Sequence, residues 1–299
     1  MKSTNIPHPF PYQGSKRKIA PQIIERCQLS SINCVVESFA GTAAITLALL
    51  HLGIVDNAVI NDKNEHIYLL WKEIHDNPSQ LCDLYEHHWN NQLSDPKGYF
   101  IDMRNKLNNE YAPEVFLYIL ARIVKGAVRY SQKGMFSQSC DNRRLGMKPD
   151  KMRQNILSVS RLIKDRVSIQ NRCYTDKDLY ASDGANTLVY LDPPYQGVSF
   201  TADKRYIDGV AYEDFSNFLE KRLEHNPHIV ISYDGMVGDR VIGKMLPETL
   251  PLDHYYINAG QSAQETLIGR SATTFESLYI SKTISKTPAD QSQLDLLVA

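Results

Sequence analysis

Two kinds of apolar pattern alternate along this chain. Cys34-Val35-Val36-Glu37 is a short apolar run ending in an acid, and Ala58-Val59-Ile60 is another that ends at Asn61-Asp62. Short runs without alternation predict strands buried on both faces. Ile19 to Cys27 predicts a short helix before them; Ala43 to Leu52 predicts one between them, closed by Gly53. The result is a strand-turn-helix-strand unit with Gly41 in its first turn. Helical spacing then takes over in Ile67 to Trp89, Tyr99 to Leu107, Glu114 to Tyr130 and Lys151 to Leu162. Ser131 to Asp150 breaks that spacing. It is polar, contains Gly134, Gly146 and Pro149, and predicts a long loop or ragged hairpin of the kind that tends to carry function. Strand patterns return at Thr187 to Leu191, His228 to Ser232, Tyr255 to Ile257 and Ser277 to Ile280, with a helix over Tyr212 to Leu223.

Strands alternating with helices predict an α/β fold with a mostly parallel sheet and helices on both faces. The helical middle predicts an insertion. The expected organisation is a sheet domain from 1–64 and 171–285, an inserted helical domain over 65–170, and a flexible tail over 286–299.

Charge changes this picture more than composition does. The 299 residues carry a net charge of -1, which gives no hint of a polyanionic partner. Yet Arg104 to Arg172 holds 15 basic and 5 acidic residues, a local +10, and the remainder carries -11. A basic module is set into an acidic one. The start of the chain has no apolar signal core, and Ala43 to Leu52 is far short of the roughly 20 residues that cross a bilayer, so a soluble, cytoplasmic protein is expected. Five cysteines without a CxxC pair predict reduced thiols. No HExxH spacing occurs and His87-His88 point about 100° apart on a helix, so no metal is expected.

Four residue sets carry candidate chemistry. Asp192-Pro193-Pro194-Tyr195 ends an apolar strand, where ligands of open α/β sheets sit. The prolines fix the backbone, remove two N–H donors and keep their carbonyls. A carboxylate followed by rigid acceptors suits an exocyclic amine, and Tyr195 offers a face on which a planar base can stack; an ordinary strand-ending proline turn is the alternative. Glu37-Ser38-Phe39-Ala40-Gly41-Thr42-Ala43 places a glycine and a helix N-terminus after a strand, a ligand turn or a plain packing turn. It lacks GxGxxG, which disfavours a dinucleotide oxidoreductase. Asp62, ending the second strand, is either a ribose acceptor or the N-cap of the next helix. Tyr12-Gln13-Gly14-Ser15-Lys16 looks like the tail of a phosphate loop, but Pro9 stands where the upstream glycine belongs.

In this order, the four sets resemble the Dam-like DNA adenine-N6 methyltransferases, over Pro11 to about Ile280. Tyr12-Gln13-Gly14-Ser15-Lys16 is similar to that family's Trp-Ala-Gly-Gly-Lys, the Glu37–Ala43 turn to its Glu-Pro-Phe-x-Gly-x-Gly, and Asn61-Asp62-Lys63-Asn64 to its Asp-Ile-Asn. Asp192-Pro193-Pro194-Tyr195 matches its catalytic motif unchanged, and Arg129-Tyr130-Ser131-Gln132-Lys133-Gly134-Met135-Phe136 resembles its Arg-Tyr-Asn-x-x-Gly-x-Phe. The departures are Tyr12 for tryptophan, Ser15 and Ala43 for glycines, and Pro11 where some relatives carry a base-contacting lysine.

The resemblance implies a Rossmann-like S-adenosylmethionine-dependent methyltransferase sheet with a mostly helical DNA-recognition insertion. It implies catalysis by Asp192, Pro193, Pro194 and Tyr195, and S-adenosylmethionine held by Tyr12, Gly14, Lys16, Glu37, Phe39, Gly41, Asp62 and, from its place before the catalytic strand, Asp176. It implies contacts to double-stranded DNA from Arg129, Tyr130, Lys133, Phe136, Arg143, Arg144 and Lys148, with the chain acting as a monomer on DNA beside a restriction or phage-defence partner. Cytosine-N4 methylation shares the amine chemistry and is the alternative enzyme; a DNA-binding relative without turnover is the alternative class. Cytosine carbon-5 methylation needs a nucleophilic cysteine, usually after proline, and no Pro-Cys pair exists here.

Overall fold

Each strand expected from the apolar runs forms, and two more join them. The computed structural model describes residues 6–181, 184–194, 210–261 and 273–286. Tyr195 and the expected tail beyond Lys286 lie outside the described residues. One eight-stranded sheet holds β1 (Cys34–Glu37), β2 (Asn57–Asn61), β3 (Val167–Gln170), β4 (Thr187–Leu191), β5 (Ile229–Val237), β6 (Arg240–Val241), β7 (Leu252–Gln261) and β8 (Thr273–Ser281). Its order is β3-β2-β1-β4-β5-β8-β7, with β6 folded back on β5. The pairs from β3 to β5 are parallel, and β8 is antiparallel to both β5 and β7.

The strands alternate between two apolar layers. Val35, Ala58, Ile60, Leu188, Tyr190 and Val230 face the core that includes α1 (Ala20–Glu25), α2 (Ala44–His51) and α3 (Glu65–Asp76). Val36, Val59, Val189, Leu191, Ile229 and Ile231 face α8 (Tyr212–His225) through Phe215 and Leu219. Burial on both sides explains why β1 and β4 read as unbroken apolar runs. Strand β3, Val-Ser-Ile-Gln, lies at the sheet edge with half-buried and exposed side chains and so left no apolar run to detect.

The middle of the chain is punctuated by proline. The stretch expected as one helix from Ile67 to Trp89 is two, α3 and α4 (Pro78–Asn91). Helix α4, together with α5 (Pro96–Leu107), α6 (Pro113–Arg122) and α7 (Pro149–Ile163), opens with proline in its first turn. Proline's fixed φ suits that position, where its missing N–H has no intrahelical partner to lose. Helix α6 stops at Arg122, short of the expected Tyr130, because Ile123 is extended at ψ 154°, and Lys125 and Gly126 then take left-handed φ of 56° and 62°.

These helices share one apolar core with the sheet. Trp71 of α3, Phe116 of α6, Ile156 of α7 and Val35 of β1 are fully buried members of it. Helix α3 packs on β3, α7 packs on α2, α3 and α4, and β3 pairs with β2, so 167–170, expected within the insertion, belong to the sheet. The Ser131–Asp150 segment is a loop held by side chains from the helices. Arg122, 2% exposed, donates to the carbonyls of Asp141 and Arg144, Gln92 donates to that of Leu145, and Tyr85 to that of Met147.

The chain after α6 also docks on the N-terminal segment. Gln13 donates its N–H to the Gly126 carbonyl at 3.2 Å, and a Cβ on Gly126 would lie 2.5 Å from the Pro11 carbonyl oxygen. Gly53 has a similar φ of +66° with nothing within 4 Å. Gly126→Ala is therefore expected to cost about 3 kcal/mol and Gly53→Ala about 1 kcal/mol, the second from backbone strain alone. Urea unfolding of the two variants checks the difference.

Candidate active site

Strand order reverses between β1 and β4, whose chains leave in opposite directions and open a crevice at their C-terminal ends. A cavity of about 200 Å³ lies there. Of the residues expected to carry chemistry, Tyr12, Gly14, Lys16, Glu37, Phe39, Gly41, Asp62, Asp192, Pro193 and Pro194 line it. Tyr195 lies outside the described residues.

The turn after β1 is held from three sides. Gly41, at φ +49°, donates its N–H to Asp62 Oδ2 at 2.8 Å and accepts the Trp71 indole N–H at 2.8 Å. A Cβ at Gly41 would meet the Tyr12 ring at 3.4 Å. Ala43, standing where the resembled motif has glycine, still takes the left-handed conformation with φ 48° as it caps α2. The hydroxyl of Ser15, also in a glycine position of that motif, bonds that of Thr42 at 2.9 Å and fastens the N-terminal segment to this turn.

Asp62 is a pocket residue, and the cap of α3 falls to Asn64, whose side chain accepts the His66 N–H. The Asp62 oxygens accept the N–H groups of Gly41 and Asn64 at 2.8 and 2.9 Å. A carboxylate has about four acceptor sites, so these two bonds leave capacity for a ligand. Burial raises the Asp62 carboxyl to about 6, against the lowering effect of those N–H bonds.

Asp192 follows β4. Its Oδ1 lies 3.0 Å from the Lys16 ammonium, which is 4% exposed and also donates to the Gly14 carbonyl at 3.2 Å. Glu276 of β8 lies on the other side of Lys16, at 3.4 Å. Burial raises Asp192 to about 6; Lys16 opposes that rise and Glu276 reinforces it. Glu37 is buried at the start of α2, where Oε2 accepts the Thr46 N–H at 2.8 Å. Burial lifts it to about 7, with Asp192 adding to the rise. The lining thus combines three carboxylates of raised proton affinity with the cations Lys16, Lys63 and Arg172.

On the β3 side Phe39 and Tyr174 pack with ring centroids 5.1 Å apart, and both line the cavity with Arg172 and Cys173. Asp176, expected there, is not among the lining residues. Its Oδ2 pairs with Arg172 at 2.8 Å and its Oδ1 caps the following turn by accepting the Asp178 N–H, so both oxygens are held by local structure. Tyr174, Arg172 and Glu276 were missed by the sequence patterns. The first two follow β3, and recognising that strand would have placed them at the C-terminal edge of the sheet.

The expected DNA contacts divide by burial. Lys133, Arg143, Arg144 and Lys148 are exposed and Arg129 is half-buried. Tyr130 and Phe136, expected to contact DNA, are instead buried in the core. They pair across an antiparallel bridge that turns both rings inward, 4.8 Å apart, with His66 and Phe116 packed on Phe136. Tyr130 accepts a hydrogen bond from Asn64, and both backbone groups of Phe136 bond to Asn108. The exposed tip between them is 131–135. Arg143 and Arg144 both grip Asp141, whose carboxyl is held far below the usual carboxylate range by the Arg143 backbone N–H and then by hydrogen bonds from the two guanidinium groups.

The sheet order and the crevice beside β1 and β4 define a Rossmann-like methyltransferase fold. Residues 12–237 match the family model of the D12 class N6 adenine-specific DNA methyltransferases, and the chain belongs to that family. It is an adenine-specific DNA methyltransferase, which sets aside the cytosine-N4 alternative. Type II methyltransferase M1.LlaDCHI of Lactococcus lactis subsp. cremoris is 28% identical over 214 residues, covering 68% of this chain and 71% of that protein. Type II methyltransferase M.MjaIII of Methanocaldococcus jannaschii is 25% identical over 242 residues, covering 71% and 79%. Among solved structures, the rRNA methyltransferase aviRa of Streptomyces viridochromogenes aligns over 91% of this chain and 86% of its own, with a TM-score of 0.42 and 12% identity.

The carboxyls also set how stability responds to pH. An acid whose folded-state value is raised contributes stability below its unfolded value and loses it as pH climbs through the folded value. For Asp192 that window runs from 3.8 to about 6. Asp192→Asn is expected to melt higher than the parent at pH 8, by on the order of 1–3 kcal/mol, with the gap closing toward pH 4. Thermal unfolding at the two pH values checks both size and sign.

Proposed function

We propose that the target amine is received by Asp192 and the Pro193 carbonyl, with S-adenosylmethionine seated beside them against Glu37, Phe39 and Asp62. The observation that carries this reading is that Asp192, the Gly41 turn and Asp62 line one cavity. The residues fit such a cofactor. Remaining acceptor sites on Asp62 suit ribose hydroxyls, the Phe39 and Tyr174 rings suit a planar base, and the carboxylates favour a ligand with cationic amine and sulfonium groups. Bound there, S-adenosylmethionine supplies a methyl carbon made electrophilic by a positively charged sulfur.

The adenine N6 lone pair is delocalised into the ring, so the amine is a weak nucleophile. Hydrogen bonds from its two N–H groups to Asp192 and to the Pro193 carbonyl draw that pair back onto nitrogen, and they strengthen as positive charge develops. The methyl group supplied by the cofactor would pass to N6, the electron pair of its former bond staying with sulfur. The surplus N6 proton then leaves to Asp192 and on to solvent; a carboxyl poised near 6 accepts and releases it at neutral pH. Proline at 193 and 194 makes the acceptor strip rigid, which serves alignment. The target nitrogen is inaccessible in line within a stacked duplex, so the base is turned out, at a cost of a few kcal/mol. Exposed Lys133, Arg143, Arg144 and Lys148 hold the phosphates.

Because the relatives are named type II methyltransferases, the cellular role we infer is protective methylation beside a restriction partner. Asp192→Ala is expected to lower methyl transfer to DNA by about a thousandfold or more, while cofactor affinity stays within a few-fold. Tritium transfer and calorimetric titration check the two halves, and a variant at near-parental rate overturns the assignment. DNA affinity is expected to fall steeply with salt, with a log–log slope of about -4 if the four exposed cations each meet a phosphate. Lys133→Ala and Lys148→Ala should each reduce that slope by about one, read by fluorescence anisotropy.

A further inference from the structure

We propose that Glu276 is a positioning residue for methyl transfer: from β8 it shares the Lys16 ammonium with Asp192, leaving the Asp192 carboxylate able to take up the amine. This rests on the role proposed for Asp192. Glu276 lies outside the residues matched by the family model.

The geometry is specific. Lys16 is almost wholly buried, and its ammonium has three N–H groups. It meets the Gly14 carbonyl at 3.2 Å, Asp192 Oδ1 at 3.0 Å and Glu276 Oε2 at 3.4 Å. Glu276 Oε2 is itself buried and makes no hydrogen bond among the described residues, so the ammonium is its counter-ion. A β-bulge aims this side chain. Between the Tyr233–Ser277 and Met236–Phe275 pairs, β5 spends Asp234 and Gly235 opposite the single Glu276 of β8. Bulges commonly redirect a side chain beside an active site. Gly235 makes the close approach possible, since a Cβ there would lie 2.0 Å from the Phe275 carbonyl oxygen and 2.9 Å from the Glu276 Cα.

Without Glu276 beside it, the buried ammonium would keep its hold on Asp192 at 3.0 Å and would compete more strongly with the incoming amine. With Glu276, Lys16 is divided between two carboxylates. The charged groups acting on Asp192 are Lys16 from the N-terminal segment and Glu276 from β8, while Asp192 in turn raises Glu37 of β1 and Tyr190 of β4. Asp234 of β5 lies against the Gly243 turn. Glu276 is the group that reinforces the proton affinity of Asp192 through charge while drawing Lys16 away from it.

The test uses the full chain with tritiated S-adenosylmethionine and genomic DNA from a host lacking adenine methylation. Rates are measured from pH 5 to pH 9 for the parent, Glu276→Gln, Glu276→Asp and Asp192→Asn. Glu276→Gln is expected to lower kcat roughly tenfold at pH 8, with the cofactor KM within about twofold. Its acid limb should move to lower pH by about one unit, because a negative charge beside Asp192 has gone. Glu276→Asp should restore part of the rate and part of the limb, and it decides the matter if Glu276→Gln fails to fold. An unchanged plateau and limb overturn the proposal, and so does a lower rate with an unmoved limb, which marks a merely structural role. A parental rate in Asp192→Asn instead overturns the assignment of Asp192 itself. An active parent, an inactive Asp192→Asn and an unaffected Glu276→Gln together reject only the role of Glu276.

Discussion

Burying carboxylates at the ends of neighbouring parallel strands is the constraint around which the rest of this molecule is arranged. Glu37, Asp62 and Asp192 follow or end β1, β2 and β4, and burial lifts all three well above their ordinary range. Each is tolerated because a fixed donor faces it. Thr46 in the first turn of α2 serves Glu37, the N–H groups of Gly41 and Asn64 serve Asp62, and Lys16 serves Asp192. Those donors explain much of the local architecture. The left-handed Gly41 and Ala43 turn α2 so that its N–H groups face Glu37, and Asn64 takes over the capping of α3 so that Asp62 can face the cavity. The N-terminal segment crosses the crevice to deliver Lys16, anchored by Ser15 to Thr42. Carboxylates raised this way favour a neighbouring positive charge, a role that Lys16 fills for Asp192.

How far the sequence could be read depended on burial. Strands buried on both faces announced themselves as apolar runs, so β1, β2, β4 and β5 were legible, and with them the residues at their C-terminal ends. Strand β3 is an edge strand with one exposed and three half-buried side chains, so its pattern is weak, and Arg172 and Tyr174 beyond it went unseen. Glu276 was invisible for a different reason. Its place depends on a bulge between β5 and β8, strands that are not neighbours in sequence, which local spacing does not encode. Asp176 failed in the opposite sense. It had the right charge near the right strand, but Arg172 and the turn after it already use both oxygens.

The charge asymmetry also acquires a finer meaning. Of the basic residues between Arg104 and Arg172, several are bound by the fold. Arg122 clamps backbone carbonyls, Arg104 holds those of Ser137 and Gln138, Arg166 holds those of Val55 and Asp56, and Arg153 pairs with Asp83 and Glu86. Their guanidinium groups replace the regular hydrogen bonds that a long loop and short connections cannot make for themselves. A local excess of +10 therefore overstates the charge available to a polyanion. The better candidates for phosphate contact are the residues left exposed at the loop tip and after it, Lys133 and Lys148 foremost.

Buried aromatics in the same loop bear on how the two parts of the protein communicate. Tyr130 and Phe136 were expected to contact DNA, yet they pack into the core and the Tyr130 hydroxyl bonds Asn64, which lies beside Asp62 on the cavity wall. On the opposite side, Gly126 locks against Pro11 and Tyr12, the segment that leads into Lys16. The exposed tip proposed to face DNA thus hangs from residues that also shape the proposed cofactor wall, and no hinge of polar linker separates the two within the described residues. Because a close-packed core resists continuous deformation, displacement of the tip would be felt at Asn64 and at Tyr12. If the tip meets DNA as proposed, the continuity of the core, more than any single contact, would tie recognition of the duplex to the geometry of the proposed transfer site.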